Sequence, residues 1–157
     1  MIVGCTQIPP GDPRPIEHRP VVLDRDECTK LLRANNVGRI GFVVDGWPTI
    51  LPVNYAMDGC DLVIRTDTGT KLSVLRGGAN ASFEVDQLDV VYRSGWSVLV
   101  YGTADEISDE SELEHVRSLQ LRAWAAGQKS FWIRVRPVQV TGRRLPKAWQ
   151  YPDPPNG

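Results

Sequence analysis

Histidine and cysteine are scarce in this sequence, and their scarcity excludes several chemistries at once. Among 157 residues there are two histidines, His18 and His115, and three widely separated cysteines, Cys5, Cys28 and Cys60. No CxxC or other paired spacing occurs, so neither a disulfide framework nor a zinc site is expected, and no metal is assigned. Each cysteine reads as a small apolar filler. An axial haem ligand is not expected either, because His18 lies in a proline-rich arm and His115 on an acidic helix. Net charge is also lacking. Eighteen basic residues against 19 acidic ones leave a formal charge of -1, which argues against a protein that coats nucleic acid. No run approaches the roughly 18 apolar residues of a membrane span. Met1-Ile2-Val3-Gly4 has no signal-peptide pattern. A soluble, cytoplasmic protein without nucleic-acid or membrane partners is expected.

What is present is the composition of one globular domain, 41% hydrophobic and 24% charged. Prolines mark its ends. Five of the twelve lie between Pro9 and Pro20, and four more are Pro146, Pro152, Pro154 and Pro155. Such stretches favour extended, solvated backbone. Residues 1–20 and 146–157 therefore read as N- and C-terminal arms around a domain at 21–145.

Within the domain, Asp24 with Glu27 three residues on forms a capping box, followed by Cys28, Leu31 and Leu32 at helical spacing. Val37–Val44, Thr49–Met57 and Leu62–Thr66 read as strands joined at Asp45-Gly46 and Asp58-Gly59, an antiparallel meander. A short helix over Gly69–Leu75 is broken by Gly77-Gly78, and Ala79–Val85 is strand-like. Val90–Ile107 reads as one long β segment with a bulge or bend at Ser94-Gly95. A helix over Asp109–Arg122 and a strand over Ser130–Val140 complete the domain. About six antiparallel strands with few helices predict a barrel, which leaves no open edge. Residues 77–115 hold nine acids and one base, and 116–150 eight bases and no acid. The two segments face each other or solvate opposite faces, and the second also suits a basic rim for an anionic ligand; the readings are compatible.

The most informative stretch is Ile64-Arg65-Thr66-Asp67-Thr68-Gly69-Thr70-Lys71. A strand ends, a short loop follows and a helix begins, so unpaired N–H groups meet a guanidinium, an ammonium and threonine hydroxyls. That combination suits phosphate, although a plain strand–turn–helix with solvated cations has the same spacing. Pro52-Val53-Asn54-Tyr55 puts a proline inside a β pattern, the mark of an edge or bulge. Trp96-Ser97 follows a glycine on a strand, and Trp96 reads as core, interface or ring-stacking platform.

The ordered series VGRIGF, GWPTILPVNY, IRTDTGTK, FEVD, GWSVLVYGTA and WIRVRPVQVTGR resembles the pyridoxamine-5′-phosphate-oxidase-like flavin-binding split-barrel family, especially its small actinobacterial members, over about residues 23–145. The resemblance implies a six-stranded antiparallel Greek-key split barrel that forms a homodimer with cofactor sites shared between subunits. It implies that Arg65 and Lys71 grip the FMN phosphate with help from Thr66 or Thr70. Pro52, Val53, Asn54 and Tyr55 would lie along the isoalloxazine ring, and Trp96 and Ser97 would reach the flavin from the other subunit. The hydroxyls of Tyr55 and Ser97 are candidate donors to ring or substrate, and no catalytic residue is assigned. Gly142-Arg143-Arg144-Leu145 has no adjacent histidine, so pyridoxamine phosphate oxidase activity itself is not expected. The implied function is an FMN-dependent oxidoreductase acting on a small organic substrate. The alternatives are a reductase using the 8-hydroxy-5-deazaflavin coenzyme, a non-catalytic flavin store or sensor, and a cofactor-less barrel docking through Trp96, Trp132 and the arms.

Overall fold

Asp24 starts the first helix in the way its spacing to Glu27 dictates. The Asp24 carboxylate accepts from Glu27 N at 2.8 Å, and Glu27 Oε2 accepts from Asp24 N at 3.3 Å. The computed structural model describes residues 19–119, 121 and 130–146. Most of both arms, with His18 and Cys5, lies outside the described residues; the helix expected to run to Arg122 ends earlier, at Ser118, where Leu119 turns extended. The elements are β1 (Val21–Leu23), α1 (Arg25–Ala34), β2 (Val37–Val44), β3 (Trp47–Asp58), β4 (Asp61–Thr66), α2 (Thr70–Leu75), β5 (Gly77–Asp89), β6 (Ser94–Ile107), α3 (Glu110–Ser118) and β7 (Phe131–Leu145).

Both Asp-Gly pairs mark two-residue hairpins, by different routes. Asp45 and Gly46 both have positive φ (50° and 82°), the signature of a type I′ turn between Val44 and Trp47. The second loop is Gly59-Cys60, with positive φ at Gly59 alone, as a type II′ turn requires. The segment 90–107 differs from its sequence reading. Residues 90–93 are a hairpin turn between β5 and β6, in which Arg93 takes φ 47° and the Asp89 carboxylate accepts from Tyr92 N at 3.0 Å. Val90-Val91-Tyr92 has strand-forming side chains, but they stand exposed at the hairpin tip. Gly77-Gly78 already belongs to β5. The register shifts lie elsewhere, at Gly78 between the Gly77–Asp105 and Ala79–Ala104 pairs, and where Tyr101 pairs with Gln139 and Gly102 with Pro137. Pro137 sits there because a bulge tolerates a missing ladder donor.

The strand order β1-β7-β4-β3-β2-β5-β6, with β6 also paired to β7, closes six antiparallel strands into a ring. The spatial order β5-β2-β3-β4 is a Greek key. The seventh strand, β1, lies outside the ring on the C-terminal half of β7, with Val21 opposite Arg144. Inside the ring, Ile40, Tyr55, Leu62, Ile64, Leu75, Phe83, Val98, Val100, Ile133 and Val135 form the main core. A second cluster, Val63, Ile107, Val116 and Trp132, packs under α3. The acidic and basic halves do face each other: Arg136 pairs with Asp105, Arg134 with Glu112 at 2.9 Å and Arg117 with Glu110 at 2.7 Å.

Two glycines separate close approach from mere flexibility. A Cβ on Gly102 would meet Arg136 O at 2.3 Å, whereas one on Gly77 would meet nothing within 4 Å. Gly102→Ala is expected to cost about 1–3 kcal/mol by overpacking at the bulge. Gly77→Ala is expected to stay within about 0.5 kcal/mol. Urea denaturation midpoints of the two variants check the contrast.

Candidate functional site

The barrel splits between β3 and β4. Their ladder runs only from Asp58–Asp61 to Tyr55–Ile64. Beyond it β3 continues against β2 alone, while β4 stays paired with β7 through Arg65–Trp132 and Thr66–Phe131. Tyr55 N donates to Asn36 O at 3.0 Å, and hydrogen-bonded pairs alternate along an antiparallel ladder. Pro52, opposite Arg39, therefore falls on a non-bonded pair, where its missing N–H costs nothing on the β2 side. Its lack of a donor also suits the side from which β4 has withdrawn. Pro52 is exposed and Asn54 half-buried, while Val53 and Tyr55 point into the core. Val53 and Tyr55 fall on the bonded pairs with β2, so the main-chain groups that face the split are those of Pro52, which offers only its carbonyl, and Asn54.

The Tyr55 hydroxyl corrects one expectation. At 1% exposure it is deep in the core, edge-on to Phe83 with centroids 4.8 Å apart, and it donates to Leu32 O at 2.6 Å. Leu32 O is one of the last carbonyls of α1, which have no partner within the helix. Asn35 Nδ2 satisfies its neighbour, Leu31 O, at 2.8 Å. Asn54 Nδ2 reaches Asn36 O at 3.5 Å. Asn54 and Tyr55 thus fasten the end of α1 to β3, and the Tyr55 hydroxyl is already engaged. Burial pushes its pKa well above the ordinary tyrosine value.

Just past the split, β4 ends in Arg65-Thr66 and α2 begins at Thr70. Gly69, the N-cap, has φ 149° and no side chain, so the first turn of α2 has no side-chain cap. Arg65 is exposed and its guanidinium lies over Trp132, 5.4 Å from the ring centroid. Lys71 is half-buried and Thr70 exposed. Thr66 is buried, with its hydroxyl donating to Asp67 O at 3.3 Å, so Thr70 rather than Thr66 presents a hydroxyl at the surface. The arrangement offers a fork, a point charge, a hydroxyl and an uncapped helix start, which together suit a phosphate ester.

Trp96 and Ser97 stand at the opposite end of the sheet. Arg65 pairs with Trp132 at one end of β7, and Trp96 with Arg144 near the other. At about 3.3 Å per residue these positions are about 40 Å apart along the strand. Half-buried Trp96 lines a cavity of ≈ 580 Å³ with Gln87 and Arg144, its neighbours across β5 and β7.

Two features escaped the sequence reading. Trp132, at 5% exposure, is buried beneath α3 as a platform for Arg65 and is not a docking surface. Its place opposite Arg65 needed the β4–β7 register, which no local pattern announces. The other is Arg134, buried among Glu112 at 2.9 Å, Asp58 at 3.3 Å and Asp61 at 3.6 Å. His115 is exposed on α3 and joins the same group through Asp58 at 2.8 Å. Burial raises the Asp61 carboxyl above its ordinary value even though Arg134 opposes the shift, and burial likewise pushes the Cys28 thiol up, in keeping with a filler. No group of three or more metal-ligating side chains occurs among the described residues. No helix among them is long and apolar enough to cross a membrane.

Comparison with known proteins places these features in a family. A family profile described as pyridoxamine 5′-phosphate oxidase matches residues 24–144. An uncharacterized protein of Mycobacterium tuberculosis is 37% identical over 144 residues, covering 87% of this chain and 94% of its own. The solved FAD binding protein of Mycobacterium smegmatis is 38% identical with a TM-score of 0.71, covering 82% of this chain and 100% of its own. An FAD-binding protein of Mesorhizobium loti is 29% identical with a TM-score of 0.69, covering 80% and 98%.

Tyr55→Phe should destabilise the fold by about 1 kcal/mol through the orphaned Leu32 carbonyl. Because the folded pKa of Tyr55 is raised, its stabilisation is complete below the ordinary value of about 10 and is lost as pH climbs above it. Denaturation midpoints measured between neutral pH and the alkaline limb should show the wild type losing stability there, and Tyr55→Phe losing less.

Proposed function

This chain belongs to the pyridoxamine 5′-phosphate oxidase family, and on that premise we propose that it is a flavoprotein oxidoreductase. It would hold FMN non-covalently and exchange a hydride or electrons with a small organic substrate. The observation that carries the reading is the 65–71 loop at the barrel's split, where Arg65, Thr70, Lys71 and the uncapped start of α2 suit a flavin's phosphate. The main chain of β3 from Pro52 to Tyr55 lies next to that loop across the split and would run along the ring. When bound, a flavin supplies the redox chemistry, so a general acid or base from the protein is not required. The protein's part is to grip the phosphate, align the ring on the β3 backbone and exclude water. Pyridoxamine phosphate is not the substrate proposed, since Gly142-Arg143-Arg144-Leu145 has no histidine beside it.

The names of the two FAD-binding relatives favour a second reading, with FAD in place of FMN. Both flavins carry a phosphate at the end of the ribityl chain, so the same loop would serve either. The deazaflavin coenzyme is less well supported. Its acidic tail would need surplus basic surface, yet Arg117, Arg134 and Arg136 are all engaged by carboxylates.

The same geometry supports site sharing between two copies. Trp96 and Ser97 lie too far along β7 from Arg65 for one flavin to touch both within a chain. An apolar outer face with Ile50, Tyr101 and Val138 exposed around a groove of ≈ 510 Å³ offers a surface for the second copy. A homodimer would bring Trp96 of one protomer to the phosphate loop of the other.

Two experiments test the proposal. Flavin fluorescence titrations with FMN, FAD, riboflavin and the deazaflavin coenzyme should give tight binding of a phosphorylated flavin. The double variant R65A/K71A should weaken it about 100-fold or more while leaving riboflavin affinity nearly unchanged, since each lost charge-assisted contact is worth about 1.5–3 kcal/mol. Unchanged affinity would remove the site, and binding without turnover under any reductant would leave a store or sensor. Mixing R65A/K71A with W96A, each deficient alone, should restore binding in the heterodimers, which hold one intact site; no restoration would show the site complete within one chain.

A further inference from the structure

The tip of the β5–β6 hairpin is apolar and uncovered. Val90 and Val91 are 86% and 85% exposed, and Leu88 just before them is 66% exposed. A turn does not require such side chains, because glycine, asparagine, aspartate and serine make turns without exposing apolar surface. Three strand ends meet behind this tip. Exposed Leu88 and Val90 form the rim of the ≈ 580 Å³ cavity, half-buried Trp96 lies within it, and Leu145 and Pro146 line it from the end of β7. Leu145 pairs with Gly95, so Pro146 comes level with Ser94, the first residue of β6, and both line the cavity. The chain therefore leaves β7 beside the apolar tip. Residues 147–157 lie outside the described residues. Their sequence begins Lys147-Ala148-Trp149-Gln150-Tyr151, two aromatics before the prolines resume at Pro152. Here β6 lies between β7 and β5, and with neighbouring strands about 4.8 Å apart the rim is about 10 Å from the end of β7. Three extended residues span about 10 Å. The third after Pro146 is Trp149. The groove that suits a second copy shares no residue with this cavity, so a partner seated there leaves the tip uncovered.

We propose that residues 147–151 fold back on their own chain and pack Trp149 and Tyr151 against Leu88, Val90 and Val91 at the tip of the β5–β6 hairpin. The hairpin supplies the apolar surface and the segment supplies the rings that cover it, which removes an exposed patch neither could bury alone. Docked on the rim, the segment leaves Trp96 open, so this inference does not rest on the flavin reading and does not compete with it.

Hydrogen–deuterium exchange of the full chain, read by mass spectrometry on protein free of flavin, tests the docking. In W149A/Y151A the amides of residues 86–96 should exchange about two- to tenfold faster than in wild type, the scale of one aromatic contact. Those of β2 and β3 should be unchanged. V90S/V91S, which alters the other side of the contact, should speed exchange over residues 147–151. The combined variant should melt no lower than the more damaged of the two, because both remove the same contact. Equal exchange of residues 86–96 in wild type and W149A/Y151A would overturn the proposal, as would additive losses in the combined variant. Hairpin protection that falls on dilution would also overturn it, by assigning the tip to a second copy.

Discussion

Backbone pairing along β7 carries the architecture. This strand holds β4 on its first half, β1 on its second and β6 along nearly its whole length. The ladders to β4 and β6 close the ring, because those two strands have no other way to meet, and β1 adds to β7 from outside it. The register shift at Gly102–Pro137 falls on the stretch of β7 that has β6 alone beside it, and is filled by residues that tolerate a broken ladder. Trp132 and Arg134 are consequently fixed at the start of β7, where one meets Arg65 and the other the carboxylates under α3.

The candidate site occupies the place where pairing stops. β3 and β4 are joined over a few residues and then part, and the parting leaves a strand edge bordered by Pro52 and a loop bordered by Arg65 and Lys71. Closed sheets offer few unpaired main-chain groups, so a ligand that needs them is confined to such a seam.

Much of this was legible in the sequence because it is written locally. The capping box at Asp24, the glycine-dependent hairpins at Gly46 and Gly59, and the alternation of Ile40, Phe42 and Val44 depend on neighbours a few residues apart. The Arg65–Lys71 spacing is local as well. What escaped depends on register between strands distant in sequence. Val90-Val91-Tyr92 looked like strand because its side chains favour one, yet Arg93 and Gly95 turn the chain there. Tyr55 looked available because nothing nearby shows that α1 will present the Leu32 carbonyl to it. Thr66 and Thr70 looked equivalent until the end of β4 turned one inward. Nothing local in the opposed acidic and basic halves says that they meet; pairing of β6 with β7 and packing of α3 bring Arg136, Arg134 and Arg117 onto carboxylates.

The guanidinium of Arg134 touches the β3–β4 turn through Asp58 and Asp61 and α3 through Glu112. Removing that arginine would strand three carboxylates together, and removing one carboxylate would leave the arginine less well matched in a buried place. Single substitutions at these positions are therefore strongly coupled in their effects. Asp58, Asp61, Glu112 and Arg134 therefore form one charge-balanced junction, in which a compensated set of substitutions is expected to cost less than the sum of its single members.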